Sequence, residues 1–132
     1  MSPLADGQLI LIVEDNEKNL KLVRDLLQYH GFRTLEAGDA ETGLELASTN
    51  APDLILMDIE LPGMDGVTAL EHLRADPLTA GIGVVAVTAS VMPADRERFT
   101  HAGFDGSIMK PIDVKSFPGE ILAYCNRSRG GG

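Results

Sequence analysis

Short apolar runs and amphipathic stretches alternate five times along the chain. Leu9–Val13 is wholly apolar and rich in β-branched residues, which predicts a buried strand. Asn16 is placed to cap the next segment, where Leu20, Val23 and Leu27 share one helical face and Gly31 supplies a stop. Residues 32–37 read as a second, weaker strand. Asp39 is placed to cap a helix through about Asn50, with Pro52 beyond it. Residues 54–57 predict the third strand and Gly66–Ala75 the third helix, ended by Pro77. Residues 84–87 form the fourth expected strand. Pro93 suits the first turn of a fourth helix that stops near Gly103. Residues 107–109 complete the strands. Pro118 would break a helix capped by Asp113, so the last helix is placed from about Ser116, with Phe117, Ile121, Tyr124 and Cys125 toward the core. Residues 128–132 read as a frayed tail.

Strands that alternate with helices imply parallel pairing, right-handed crossovers and a sheet covered on both faces. The expected fold class is therefore α/β in three layers. At 132 residues one domain is expected, over residues 8–126, with short tails at 1–7 and 127–132. Hydrophobic residues at 44% and charged residues at 23% favour a folded globular chain over a disordered one. The longest apolar run is far short of the ~20 residues a membrane span needs, and the start of the chain lacks a basic segment followed by an apolar one. A single cysteine, Cys125, can form no internal disulfide, which suits a reducing cytoplasm. The net charge of −9 argues against direct binding to nucleic acid, which draws affinity from Lys and Arg on phosphates.

In an open parallel sheet, function gathers at the carboxyl ends of the strands. The first predicted strand ends in Glu14 and Asp15, the third in Asp58, the fourth in Thr88 and the fifth in Lys110. Three carboxylates brought together resist ionising unless a cation joins them. Hard oxygen ligands suit Mg²⁺, which takes one or two carboxylates, waters and a substrate phosphate. An Asp oxygen can then attack phosphorus to give an aspartyl phosphate, with the Lys110 ammonium and the Thr88 hydroxyl as donors to the phosphoryl oxygens. Taken singly, each residue has a plainer reading. Glu14 or Asp15 could cap a helix, Asp58 could belong to a turn, Thr88 could start a helix and Lys110 could be a solvated charge. Their arrival on four strand ends favours the joint chemistry. His30, His72 and His101 lie scattered on predicted helices without metal-ligand spacing and read as surface residues, while Cys125 and the methionines read as core filler.

Four segments, Val13-Glu14-Asp15-Asn16, residues 54–66, Val87-Thr88-Ala89 and Met109-Lys110-Pro111, closely resemble the response-regulator receiver family. The resemblance covers about residues 8–126. It implies the flavodoxin-like, CheY-like strand order 2-1-3-4-5. It implies Mg²⁺ on Asp15, Asp58 and the backbone carbonyl of Glu60, with Glu14 assisting through water. It also implies a phosphoryl group received by Asp58 from a phosphohistidine of a histidine kinase or phosphotransfer protein, and a downstream protein target. A cis Lys110–Pro111 bond and a resting Lys110–Asp58 pair follow from the same likeness. One departure stands out: the family usually carries Tyr or Phe three residues before the lysine, where this chain has Ser107.

Within the family, a free-standing single-domain regulator and a receiver cut from a hybrid kinase or larger regulator would share this chemistry. A small phosphohydrolase working through an aspartyl phosphate would usually place a second Asp two residues after the nucleophile, where Glu60 stands. An FMN carrier of the same topology would cradle phosphate on Ser, Thr and Gly, not against Glu14 and Asp15. The expectation is thus a signalling phosphoacceptor rather than an enzyme, cytoplasmic, with no membrane or nucleic-acid partner.

Overall fold

The computed structural model describes residues 5–89 and 92–130, with side chains as far as 127. Five strands, β1 (Leu9–Val13), β2 (Arg33–Ala37), β3 (Leu54–Asp58), β4 (Gly83–Thr88) and β5 (Gly106–Met109), form one parallel sheet in the order β2-β1-β3-β4-β5. Helices α1 (Glu17–Tyr29), α2 (Ala40–Asn50), α3 (Gly66–Ala75), α4 (Pro93–Ala102) and α5 (Phe117–Gly130) follow the strands in turn. The strand order expected from the family resemblance is the one observed.

Side-chain alternation along the strands splits the interior into two cores. Leu11, Val13, Ile55, Met57, Val84 and Ala86 face α2, α3 and α4. Their neighbours Ile10, Ile12, Leu54, Leu56, Val85 and Val87 face α1 and α5, where Val23, Leu27, Phe117, Ile121 and Cys125 cover them. Every residue of β3 and β4 is buried, as strands covered on both faces must be.

The helix starts follow the capping residues that the sequence offers. Asn16 Oδ1 accepts from the Lys18 and Asn19 N–H groups, Asp39 Oδ1 from Thr42 N–H, and Asp65 Oδ1 from Thr68 N–H. Gly31 and Gly103 take positive φ at the ends of α1 and α4, where a side chain would be strained.

The structure corrects the chain's end. Asp113 does act as a cap, but of a separate turn: its Oδ1 accepts from the N–H groups of Lys115 and Ser116. Helix α5 then starts at Phe117, which puts Pro118 in the first turn, where its missing N–H leaves no gap. The helix runs on through Gly130, so residues 128–130 are helical rather than frayed, and Gly131 and Gly132 lie outside the described residues. Tyr124 is half-buried, with its ring against Gly106 of β5.

Candidate functional site

The strand order places the ends of β1 and β3 side by side, with β4 next to β3 and β5 next to β4. Backbone bonds fix each end. Glu14 N–H donates to the Ala37 carbonyl at 2.9 Å, Ile59 N–H to the Val87 carbonyl at 3.1 Å, and Lys110 N–H to the Thr88 carbonyl at 2.8 Å. Asp58 and Thr88 are themselves the last residues of their strands, one position beyond the expected limits.

Glu14, Asp15, Asp58, Thr88 and Lys110 are all brought to this edge. Glu14, Asp58 and Thr88 are buried, and Asp15 is exposed. One carboxylate oxygen from each of Glu14, Asp15 and Asp58 lies within 4.8 Å of the other two. Lys110 Nζ bridges the two buried acids, 3.0 Å from Glu14 Oε1 and 3.2 Å from Asp58 Oδ2. The other Asp58 oxygen accepts the Glu60 N–H at 3.0 Å, and Glu14 Oε2 accepts the Asn16 N–H at 3.3 Å. The Lys110–Pro111 bond is cis, as the resemblance implied.

Beneath the acids lies apolar packing from Ile12, Leu56, Val87 and Phe117. Burial there pushes the Glu14 carboxyl up to about 7, aided by the hydrogen bond it shares with Asp58 and opposed by Lys110. Burial would raise Asp58 as well. The bonds from Glu14 and the Glu60 N–H, together with the Lys110 charge, outweigh it and hold Asp58 below the usual aspartate value. Lys110 is partly desolvated, but its bond to Glu14 and the charge of Asp58 raise its pKa, so it stays an ammonium. One acid of the buried pair is thus ready to hold a proton and the other is ionised.

The donor set fits Mg²⁺. It offers hard oxygens only, two of them buried and one facing water, and the three acids carry more negative charge than one lysine can balance.

Two contributors were not identified from sequence. The Glu60 N–H orients Asp58, a backbone role that leaves no mark in residue type. Gly66 opens α3 hard against the Asp58 backbone, and a glycine at the first position of a helix is a signal of close approach that could have been read. Two plainer expectations need correction. His72 and His101 are exposed, whereas His30 is half-buried, caps α1 and stands edge-on to Tyr29. Met57 is core, but Met92 at the start of α4 and Met109 at the end of edge strand β5 are exposed.

The response regulator receiver domain family matches residues 10–121. The polar-differentiation response regulator DivK of Brucella anthropi is 43% identical over 115 residues, spanning 87% of this chain and 94% of that protein. Among solved structures, a CheY-like receiver domain protein from Methanospirillum hungatei superposes with a TM-score of 0.85 at 28% identity, covering 96% of this chain and 99% of that one. The receiver domain of a sensor histidine kinase from Pseudomonas aeruginosa, solved with a magnesium ion coordinated in its active-site cleft, gives a TM-score of 0.80. It is 31% identical, with 94% and 98% of the two chains covered. Fold, site and relatives agree, and the chain belongs to the response regulator receiver domain family.

Proposed function

We propose that Asp58 is the phosphoacceptor of a two-component signalling protein whose receiver unit spans residues 8–126, and that Asp15, Asp58 and the Glu60 backbone carbonyl hold Mg²⁺ with help from Glu14. The observation that carries the reading is the state of Asp58. It is buried at the end of the central strand and aimed by the Glu60 N–H on one oxygen with Lys110 on the other, contacts that favour its ionised form. An oxygen of this carboxylate attacks the phosphorus of a phosphohistidine on a kinase or phosphotransfer protein. The P–O bond forms as the P–N bond breaks, and the electron pair leaves with the imidazole. Lys110 already touches the acceptor, so it can follow the charge onto the phosphoryl oxygens without a large movement. Thr88, buried at the end of the neighbouring strand, brings a hydroxyl to the same carboxyl edge of the sheet. Bound Mg²⁺ would neutralise charge on the phosphoryl oxygens.

The likeness to DivK supports a free-standing regulator that signals through altered protein binding. The likeness to a sensor-kinase receiver supports a second reading, in which the same unit works within a longer kinase. The size of the endogenous polypeptide on an immunoblot separates the two. No helix among the described residues is long and apolar enough to cross a membrane, which is consistent with work in the cytoplasm.

Incubation with acetyl phosphate and Mg²⁺, followed by intact-mass measurement, tests the assignment. One phosphoryl group should be gained, lost in Asp58→Ala and blocked by EDTA. Full modification of Asp58→Ala would sink it.

A further inference from the structure

The strand that delivers Lys110 is the weakest in the sheet. Strand β5 has four residues, pairs on one side only, and begins with Gly106 and Ser107, neither of which favours a strand. Only Ile108 within it is buried. Short, edge, glycine-containing strands have weakly specified register, and a slip of one residue turns every side chain to the opposite face. A slip of two would keep Ile108 on its own face. It would still carry Lys110 ~6.6 Å along the sheet, away from both carboxylates.

The register is pinned at the far end of the sheet from the acids. Asp105, immediately before β5, makes two bonds to one residue of β4. Its N–H donates to the Val84 carbonyl at 2.8 Å, and its Oδ2 accepts the Val84 N–H at 2.8 Å. The same Oδ2 receives Arg74 Nη2 at 3.1 Å. Arg74, from the last turn of α3, also donates to the carbonyls of Gly103 (3.2 Å), Ala80 (3.1 Å) and Ile82 (2.6 Å). One guanidinium therefore holds both the chain entering β4 and the chain entering β5. An exposed Arg–Asp ion pair would add little by itself. Asp105 takes both backbone groups of Val84 while Arg74 ties it to the carbonyls of Ala80 and Ile82 ahead of β4, so a slip of β5 would have to break both sets of bonds.

We propose that Asp105 and Arg74 are positioning residues for phosphoryl transfer: they lock β5 against β4 so that Lys110 meets Asp58 and Glu14. This rests on the reading of Lys110 given above. Neither residue touches the acids, so their effect must travel through Lys110.

The test is a double-mutant comparison on the full chain. Initial rates of phosphoryl uptake from acetyl phosphate at saturating Mg²⁺ are measured for Asp105→Ala in the parent and in a Lys110→Ala background. In the parent the rate should fall about tenfold, since misplacement by ~1 Å can cost as much as ~100-fold. In the Lys110→Ala background the residual rate should not change further. Asp105→Asn, which keeps an acceptor for the Val84 N–H, should recover most of the parental rate. If Asp105→Ala does not fold, Arg74→Met carries the same comparison. Nuclear Overhauser contacts between Thr88 and Met109 supply a readout independent of rate, and should weaken in Asp105→Ala. Equal rate losses in both backgrounds, or cross-strand contacts of full strength, would overturn the proposal. A Lys110→Ala rate equal to the parent's would instead overturn the role given to Lys110.

Discussion

Gly66 lies so close to the backbone of Asp58, the proposed phosphoacceptor, that a Cβ there would fall 2.8 Å from the Asp58 carbonyl oxygen and 3.0 Å from Ile59 Cα. Its N–H donates to the Ile59 carbonyl at 3.2 Å. The start of α3 therefore rests directly on the turn that aims Asp58. Neither atom it meets is the end of a flexible side chain, so Gly66→Ala must push the helix off the turn. The variant should lose ~1–3 kcal/mol of stability, the usual range for overpacking, and take up phosphoryl groups more slowly. Urea denaturation and the acetyl phosphate assay measure the two effects. Unchanged values in both would show that the turn can move away without consequence.

The Glu14 carboxyl stands at about 7, above the ordinary 4.5 for glutamate. Between those values the folded chain keeps a proton that the unfolded chain has released, so the stability of the metal-free protein should fall as pH rises from 5 to 8. Asp58 is shifted the other way, and its contribution is lost only as pH drops below ~4, outside this window. Denaturation midpoints in EDTA at pH 5, 6, 7 and 8 should therefore decline, and Glu14→Gln should flatten the series. Because Mg²⁺ competes with that proton, its apparent affinity should rise over the same range. A midpoint that climbs from pH 5 to 8 in EDTA would contradict the Glu14 assignment.

Lys110 is the counter-charge shared by two buried acids, at 3.0 and 3.2 Å. Removing one partner of a buried ion pair leaves the rest uncompensated at a cost of ~3–5 kcal/mol. The partial exposure of the lysine brings the expectation for Lys110→Ala down to ~2 kcal/mol. Added Mg²⁺ should restore more stability to this variant than to the parent, since it replaces the missing positive charge. Thermal unfolding with and without Mg²⁺ decides the matter, and equal metal-induced shifts would count against the shared-charge picture.

The fold was legible because its determinants are local. Apolar runs such as Leu9–Val13, and caps such as Asn16 and Asp39, mark where strands and helices begin, and the alternation of elements implies parallel pairing. The family resemblance then supplied the strand order. The acids and the lysine of the candidate site were legible because each occupies a strand end. What escaped belongs to the backbone or to distant contacts. The Glu60 N–H on Asp58 carries no side-chain signature, and the bonds from Arg74 to the Gly103 carbonyl and the Asp105 carboxylate join segments far apart in sequence. The end of α5 was misjudged because Gly130 in a glycine-rich tail suggests fraying, yet the helix continues through it.

Ser107 stands where receivers of this family usually place an aromatic ring, and here it lines a groove of about 400 Å³ with Arg96, Met109, Pro111, Ser116 and Glu120. A hydroxymethyl group cannot act as a ring that turns in or out of that space. Thr88 is buried at the end of β4, beside both Asp58 and the strand that carries Lys110. A phosphoryl group adds ~−2 charge and three acceptor oxygens, which should draw the Thr88 hydroxyl and the chain after it inward. The expected route to a partner therefore runs through residues 88–92 and the start of α4. Ser90 and Val91 of that segment lie outside the described residues. A shift of a few kcal/mol between two states is enough to change binding noticeably. Partner affinity should be compared with and without beryllofluoride in the parent, Thr88→Ala and Ser107→Ala. Thr88→Ala should lose most of the activation-dependent gain, and Ser107→Ala should keep it. The opposite pattern would place the switch at position 107 and remove Thr88 from the route.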